Sequence, residues 1–455
     1  MRKIEIHNFG PIKHAVIEIK PLLVFIGEQA SGKSTIAKLI YFFETIPTDF
    51  YLKYYQSQDA KFDMTSDLLI PIRNKFYDLF GSTKHLYIDF QIIYYYAEDK
   101  NLTLTLTQEK KLYAHFSKKF IAQNIVNELF KVKNDLIQLK NDLEGLEMRV
   151  NVAQRVALQE LQLNKLHVFN DLIYSIFDNK HNDELFIIAG RNATVGYSET
   201  FEDLFQQHLE KQLTEQGKRI FSSKEQTIDE TLMLYFMERV KRMKSWYRSY
   251  GDFDGMIHQS DNKDRLSLAY ELVNQVLKGQ YSSDSNFGEY IQHSDGSRVY
   301  LKDASSGQQE AIRILQDSFL CIFQNNKIFR IVEEPEVHLF PEAQKATIQL
   351  LVLMLNNNEN NNLILTTHSP YTLTVINNLI FAAKIGKKNA KKVDDIISKE
   401  LWLSTERVAA YILKNGVAEN IIDNELGEIK AELIDEVSTE INNEYSRILD
   451  IKYDD

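Results

Sequence analysis

The sequence predicts an α/β fold: a mixed sheet with an antiparallel β lobe, interrupted by a helical, coiled-coil-like insertion. Three stretches carry that expectation. Leu22, Leu23, Val24, Phe25 and Ile26 form a continuous apolar run, as in a strand covered on both faces; a glycine-containing loop then leads into an apolar helix. Residues 86–116 alternate (Tyr87, Asp89, Gln91; Leu102, Leu104, Leu106), the period of antiparallel strands forming a side lobe. Over residues 118–179 the period becomes helical. Leu129, Val132, Leu136, Leu139, Leu143, Leu146 and Val150 recur at spacings of three and four, a heptad seam.

The remaining elements follow in order. Residues 3–7 and 15–20 alternate apolar and charged side chains, as half-buried strands do. The heptad seam suits either a coiled-coil arm that touches a partner or DNA, or an amphipathic hairpin packed on its own domain. Leu185, Phe186, Ile187, Ile188 and Ala189 read as a second buried strand. Helices are expected at 227–249 and 265–278, then short strands as far as Ala304. Residues 329–367 read strand, helix, strand. A segment rich in Glu, Asn and Ile follows, ending in an amphipathic helix near 428–450.

Composition narrows the function classes. At 455 residues and 44% hydrophobic, the chain can bury one large core or several smaller ones. No proline lies between Pro71 and Pro335, which suits helices and not a string of linkers. The single cysteine, Cys321, sits in an apolar run; it excludes a disulfide framework within the chain and fits a reducing cytoplasm. No stretch reaches the roughly 18 apolar residues of a membrane span, and the charged start does not read as a signal peptide. A net charge of −11 argues against nucleic-acid binding by the surface as a whole, not against a local basic groove.

The chemistry lies in four segments. Gly27, Glu28, Gln29, Ala30, Ser31, Gly32, Lys33 and Ser34 fit G-x-x-x-x-G-K-[ST], with Thr35 next, between the buried strand and the apolar helix. In this P-loop, glycines let backbone N–H groups curl around phosphate oxygens at a helix start, whose dipole favours anions. ATP with Mg²⁺ is the ligand this implies: Lys33 reaches the β- and γ-phosphates and the Ser34 hydroxyl ligates the metal. Glu333 and Glu334 end a strand. Glu333 takes the metal side and Glu334 polarises the attacking water. His368 ends the following strand and can donate to the γ-phosphate. Ser305, Gly307 and Gln308 open an apolar helix, locally a cap but also a second anion site. One P-loop with two such helix starts suggests that the second serves another subunit's nucleotide.

In this order the motifs resemble those of ABC-type ATPases of the SMC, RecF and OLD group, over roughly residues 1–378 apart from the insertion. The resemblance implies an ABC-ATPase head in two parts, residues 1–117 with the P-loop and β lobe and 181–382 with the signature, acid pair and switch histidine. Between them lies the insertion 118–180; an α-rich extension, 383–455, follows. It implies that Ser305, Gly307 and Gln308 contact the γ-phosphate across a homodimer or higher homo-oligomer. Lys33, Glu334 and His368 would be catalytic, and Glu333 would be the metal-side acid. Glu336 and His338 match the D-loop and the Glu-Pro-Glu-x-His-Leu-x-Pro run of the OLD-like branch.

Two departures stand out. Ser306 replaces a usual glycine, and Gly190 and Arg191 stand where the Q-loop glutamine belongs. Arg191 either replaces that glutamine or pairs with a local carboxylate; Gln91 is the other candidate. Within the group the chain is similar to stand-alone ATPase subunits of bacterial anti-phage systems such as PARIS and Septu. The points of likeness are the Gly190-Arg191 segment, residues 276–281, Thr367 to Tyr371, and Ile376 with Asn377 and Asn378. OLD and Gabija ATPases carry a TOPRIM nuclease after the head. Only about 85 residues follow His368 here, too few for such a domain. The resemblance thus implies a separate effector, a nuclease or toxin. The alternative is a RecF-like repair ATPase, with the basic runs 239–248 and 384–392 as its DNA groove.

Overall fold

The computed structural model describes residues 2–57, 59–84, 86, 89–145, 152–196, 227–284, 288–423, 425–430 and 446. Its main sheet has eleven strands. Along the chain these are β1 (Lys3–Phe9), β2 (Ile12–Glu18), β3 (Leu22–Gly27), β4 (Gln91–Ala97), β5 (Lys100–Leu106), β6 (Leu112–Phe116), β7 (Asp183–Ile187), β11 (Ile328–Glu333), β12 (Asn362–Thr367), β13 (Val408–Lys414) and β14 (Val417–Asn420). A small sheet holds β8 (Gln280–Asp284), β9 (Gly288–Gln292) and β10 (Arg298–Tyr300). Among the described residues the α-helices of eight residues or more are α1 (Lys33–Glu44), α2 (Ile46–Gln56), α3 (Ile70–Phe80), α4 (Gln123–Gly145), α5 (Val152–Ile176), α6 (Ile228–Tyr250), α7 (Asp252–Gln259), α8 (Lys263–Leu277), α9 (Ser306–Gln324), α10 (Pro341–Leu355) and α11 (Pro370–Asp394).

The large sheet runs β6-β5-β4-β1-β2-β14-β13-β3-β12-β11-β7. Its β13-β3-β12-β11-β7 portion is parallel throughout. The β6-β5-β4-β1-β2 portion is antiparallel and joins it through β14. This is the mixed α/β head that the sequence predicts.

Strand periodicity sorts the core. Leu22, Val24 and Ile26 of β3 face one apolar cluster, built with α6 to α11. Leu23 and Phe25 face the other, built with α1 to α5 and the antiparallel lobe. Side chains alternate across a strand, so the P-loop helix α1 and the later helix α9 lie on opposite faces of one sheet.

Two expectations need correction. The described residues from 384 to 430 do not form a separate α-rich extension. α11 crosses that boundary, and Val408–Lys414 enters the centre of the sheet, paired in parallel with β3 from Val408↔Leu22 to Leu413↔Gly27. The reason is in its sequence: Val408 to Leu413 are all buried, a continuous apolar strand of the same kind as β3. The helix expected at 428–450 lies almost wholly outside the described residues. Its first three, 428–430, are not helical, and Ile429 bridges Ile422.

Of the two readings of the heptad seam, the base of the hairpin follows the second. Leu129, Val132 and Leu136 of α4 and Phe169 of α5 are part of the head's own core, and Lys133 donates to the Tyr54 carbonyl and the Ser57 hydroxyl. Leu146 and Val150 lie outside the described residues.

Candidate functional site

Because β13, β3, β12, β11 and β7 are parallel, their carboxyl ends share one edge, the usual ligand crevice of such sheets. Gly27 closes β3 there. A Cβ on Gly27 would stand 2.5 Å from the Leu413 carbonyl oxygen of β13, and one on Gly32 would stand 2.2 Å from Ile12 Cδ1. Gly32 also holds φ +103°, so neither position accepts a side chain. Gly32 is the N-cap of α1 and supplies no side-chain hydrogen bond to it. The first-turn N–H groups are therefore uncapped by any side chain, which suits an anion. Lys33 is buried, and its Nζ folds back onto the carbonyls of Gly27 (2.9 Å) and Glu28 (2.7 Å). Burial pulls its pKa below the ordinary lysine value, against the opposing pull of Glu334, Glu336 and Glu333.

The acid pair closes β11. Glu333 is buried, and its carboxylate accepts from the Ala189 N–H at 3.4 Å. Burial raises its pKa, while the Ser34 contact opposes the rise. Its Oε1 is buried without a hydrogen-bond partner, as is Ser31 Oγ. A buried carboxylate oxygen left open beside a P-loop hydroxyl is what a hard, oxygen-binding cation requires, so these residues fit Mg²⁺. Glu334 sits at φ +44°, unusual for a residue with a side chain. Its N–H is fixed on the Thr366 carbonyl at 2.9 Å, and its Oε1 lies 3.4 Å from His368 Nε2. Glu336 anchors the end of β12, since its Oε1 accepts from the Thr367 hydroxyl and the His368 N–H, both at 2.7 Å.

Arg191 is fully buried. It donates to the carbonyls of Ile188, Glu310, Glu333 and Glu334, and its Nε lies 3.4 Å from the Glu310 carboxylate. Of its two readings, the local-carboxylate pair is the one seen. Its guanidinium clamps the backbone of the acid pair to α9. Gln91, the other candidate, opens β4, with four strands between it and β3.

Ser305 is the N-cap of α9. Its hydroxyl accepts from the Gln308 N–H, while the Gln308 side chain accepts from the Ser305 N–H, a reciprocal capping box. Gln308 Nε2 also donates to the Leu277 carbonyl at 2.7 Å. A Cβ on Gly307 would stand 2.5 Å from the His338 carbonyl oxygen, so only glycine lets α9 rest on the segment after β11. Ser306 is exposed. The contact with His338 puts the start of α9 at the same edge as the P-loop, on the opposite face of the sheet.

The basic run 239–248 does not form one surface. Arg239 is buried between Asp317 (2.7 Å) and Asp183 (3.6 Å), and Lys244 pairs with Glu289 at 3.3 Å. Lys384, Lys387, Lys388, Lys391 and Lys392 of α11 are all exposed. What sequence reasoning missed here is long-range: the Arg191–Glu310 pair, the Glu336 anchor and the contact of Leu413 with the P-loop. Arg191, a charged residue after a buried strand, and Glu336, through its motif, gave a signal, but neither sequence position named its partner.

No helix among the described residues is long and apolar enough to cross a membrane. Comparison with curated proteins gives no match. Among solved structures, the chain is similar to an SMC head domain from Thermotoga maritima at 10% identity and a TM-score of 0.33, covering 92% of this chain and 97% of that one. It is also similar to the recombination mediator protein RecF of the RecFOR pathway at 10% identity and a TM-score of 0.27, again covering 92% and 97%. The family model described as "AAA ATPase domain" matches residues 1–373, and with the P-loop, acid pair and histidine gathered at one sheet edge, the chain belongs to that ATPase family.

Proposed function

We propose that the chain is an ATP-hydrolysing head that works as a pair, two copies closing on two nucleotides. The observation that carries this reading is the placement of two helix starts at one edge of the sheet but on opposite faces, α1 with the P-loop and α9 with Ser305. With the sheet between them, they would serve different nucleotides, so Ser305, Gly307 and Gln308 would act on ATP held by the other copy's P-loop, residues Gly27 to Thr35. Lys33 would leave its carbonyl partners for the β- and γ-phosphates. Ser34 and Glu333 would hold Mg²⁺, which would neutralise phosphate charge. Glu334 would orient the attacking water, and His368 would donate to the γ-phosphate.

The test is ATP-dependent association by sedimentation, using Glu334→Gln to slow hydrolysis by about 10²-fold or more. Ser305→Arg should abolish association while a single copy still binds ATP. Loss of binding by the single copy would instead put Ser305 in the same chain's pocket and defeat the paired mechanism.

At the cellular level we propose a nucleotide-switched regulator of a separate effector, a nuclease or toxin, in bacterial anti-phage defence. The likeness of the Gly190-Arg191 segment and of Thr367 to Tyr371 to stand-alone ATPase subunits of such systems supports this reading. The exposed lysines of α11 support a second reading, a RecF-like ATPase that engages DNA. On that reading duplex binding should weaken steeply with salt and disappear in Lys387→Glu/Lys388→Glu/Lys391→Glu. Tight binding that the triple variant leaves intact would remove α11 as the groove.

A further inference from the structure

One side of α11 packs on the head. Gly386 faces inward, where a Cβ would stand 2.2 Å from the Trp402 ring, and Ala382, one turn earlier, is buried with it. The opposite side carries Phe381, 51% exposed, and Ile385, 37% exposed, with Lys384 and Lys388 among them. Residues three and four apart share a helix face, so these side chains form one stripe in which apolar groups alternate with cations. The end of the described chain already lies on that stripe. Asn377, one turn before Phe381, exchanges two hydrogen bonds with the Ile429 backbone, each 2.8 Å. Lys384 Nζ donates to the Leu426 carbonyl at 3.4 Å, and the Leu426 side chain adds a third exposed apolar group there.

The sequence that follows Lys430 matches the stripe in both charge and pattern. Residues 431–455 hold eight acidic and two basic side chains, against the lysines of α11. Ile434, Val437, Ile441, Tyr445 and Ile448 recur at spacings of three and four, one face of a helix. Ser446, the described residue of this segment, is helical and exposed, and that spacing puts it on the other face. A phosphate backbone would answer the lysines but has nothing apolar to offer Phe381 and Ile385; an acidic segment with an apolar face answers both. The same segment of a second copy would compete at a disadvantage, because this chain's own begins one turn of α11 from Phe381 and so acts at high effective concentration. We infer that residues 431–455 are an acidic strap that docks on α11 of its own chain, with its apolar face on Phe381 and Ile385 and its acids against the lysines. The strap covers the cations that the second reading above gives to DNA, and it does so whether or not the heads pair.

The experiment uses the full chain. Amides of residues 433–449 should exchange at least about 10-fold more slowly than their unstructured rate, because an isolated helix of this length is marginal and protection must come from docking. Lys387→Glu/Lys388→Glu/Lys391→Glu should abolish the protection, and adding Glu436→Lys/Glu440→Lys/Glu444→Lys should restore it. Phe381→Asp, which keeps every lysine, should abolish it through the apolar half. Binding of a fluorescent ATP analogue should be the same in all of these, which checks their folding. A carbodiimide, which joins a lysine directly to a carboxylate, should link α11 lysines to acids of 432–444. In a mixture of isotope-labelled and unlabelled chains, these links should stay within one label. Exchange at the unstructured rate in the parent, or protection that the lysine variant and Phe381→Asp both leave intact, overturns the inference. Links between labels would give the stripe to a second copy's segment and overturn it as well.

Discussion

The two helix starts that face the carboxyl edge of the sheet are built on opposite principles. α1 begins at Gly32, which has no side chain to offer, so no side chain of its own caps the first turn. α9 begins at Ser305, where a complete capping box already satisfies two backbone donors. The first is an anion site before any ligand arrives, with Lys33 parked on two carbonyls of its own loop. The second is a finished helix end, stable without a ligand, which can reach phosphate only by offering the exposed Ser305 hydroxyl and the backbone around Ser306. A loop that waits for phosphate and a cap that does not need it suit the order of events in a paired head: one copy binds nucleotide alone, and the second copy's cap arrives afterwards.

The largest effect should come from the open site. Lys33→Ala removes the only side-chain cation of the P-loop, and charge-assisted hydrogen bonds to phosphate are the strongest such a site makes. ATP affinity of the single copy should fall by about 10²-fold or more, measured by titration with a fluorescent analogue, whereas Ser305→Ala should leave that affinity within about twofold. Comparable losses in both variants would erase the distinction between the two helix starts.

Much of this was legible in the sequence because it is written in contiguous residues. The buried strand β3, the P-loop, Glu333 with Glu334, and His368 each follow an apolar run, and periodicity is a local signal. What periodicity cannot report is pairing. Val408 to Leu413 are as apolar as β3, but nothing local says that this strand lies beside β3, some 380 residues earlier in the chain, and closes against Gly27. The same holds for charge. Arg239 reads as part of a basic run until Asp183 and Asp317 are brought to it, and Arg191 reads equally as a Q-loop substitute or a carboxylate partner until Glu310 takes it up. Arg191 and Arg239 become clamps through partners far away in sequence.

The smallest effect is the most discriminating, because Ser305 has two proposed tasks that different substitutions separate. As a cap, it should be worth about 1 kcal/mol, the usual loss on replacing an N-cap serine by alanine. Ser305→Ala should therefore lower stability by that amount in nucleotide-free denaturant melts, with the Gln308 side chain left to hold its half of the box. Ser305→Asp should restore stability, since aspartate caps as well as serine and its charge favours a helix N-terminus. As a contact for the other copy's γ-phosphate, however, the same aspartate brings an anion against an anion. In the Glu334→Gln background, Ser305→Asp should be as stable as the parent yet fail to associate with Mg-ATP, while Ser305→Ala, less stable, should still associate, though more weakly. The two measurements then rank the variants in opposite orders. A Ser305→Asp head that associates like the parent would leave Ser305 as a cap alone, and the asymmetry between α1 and α9 would be a matter of helix stability with no bearing on the partner's nucleotide.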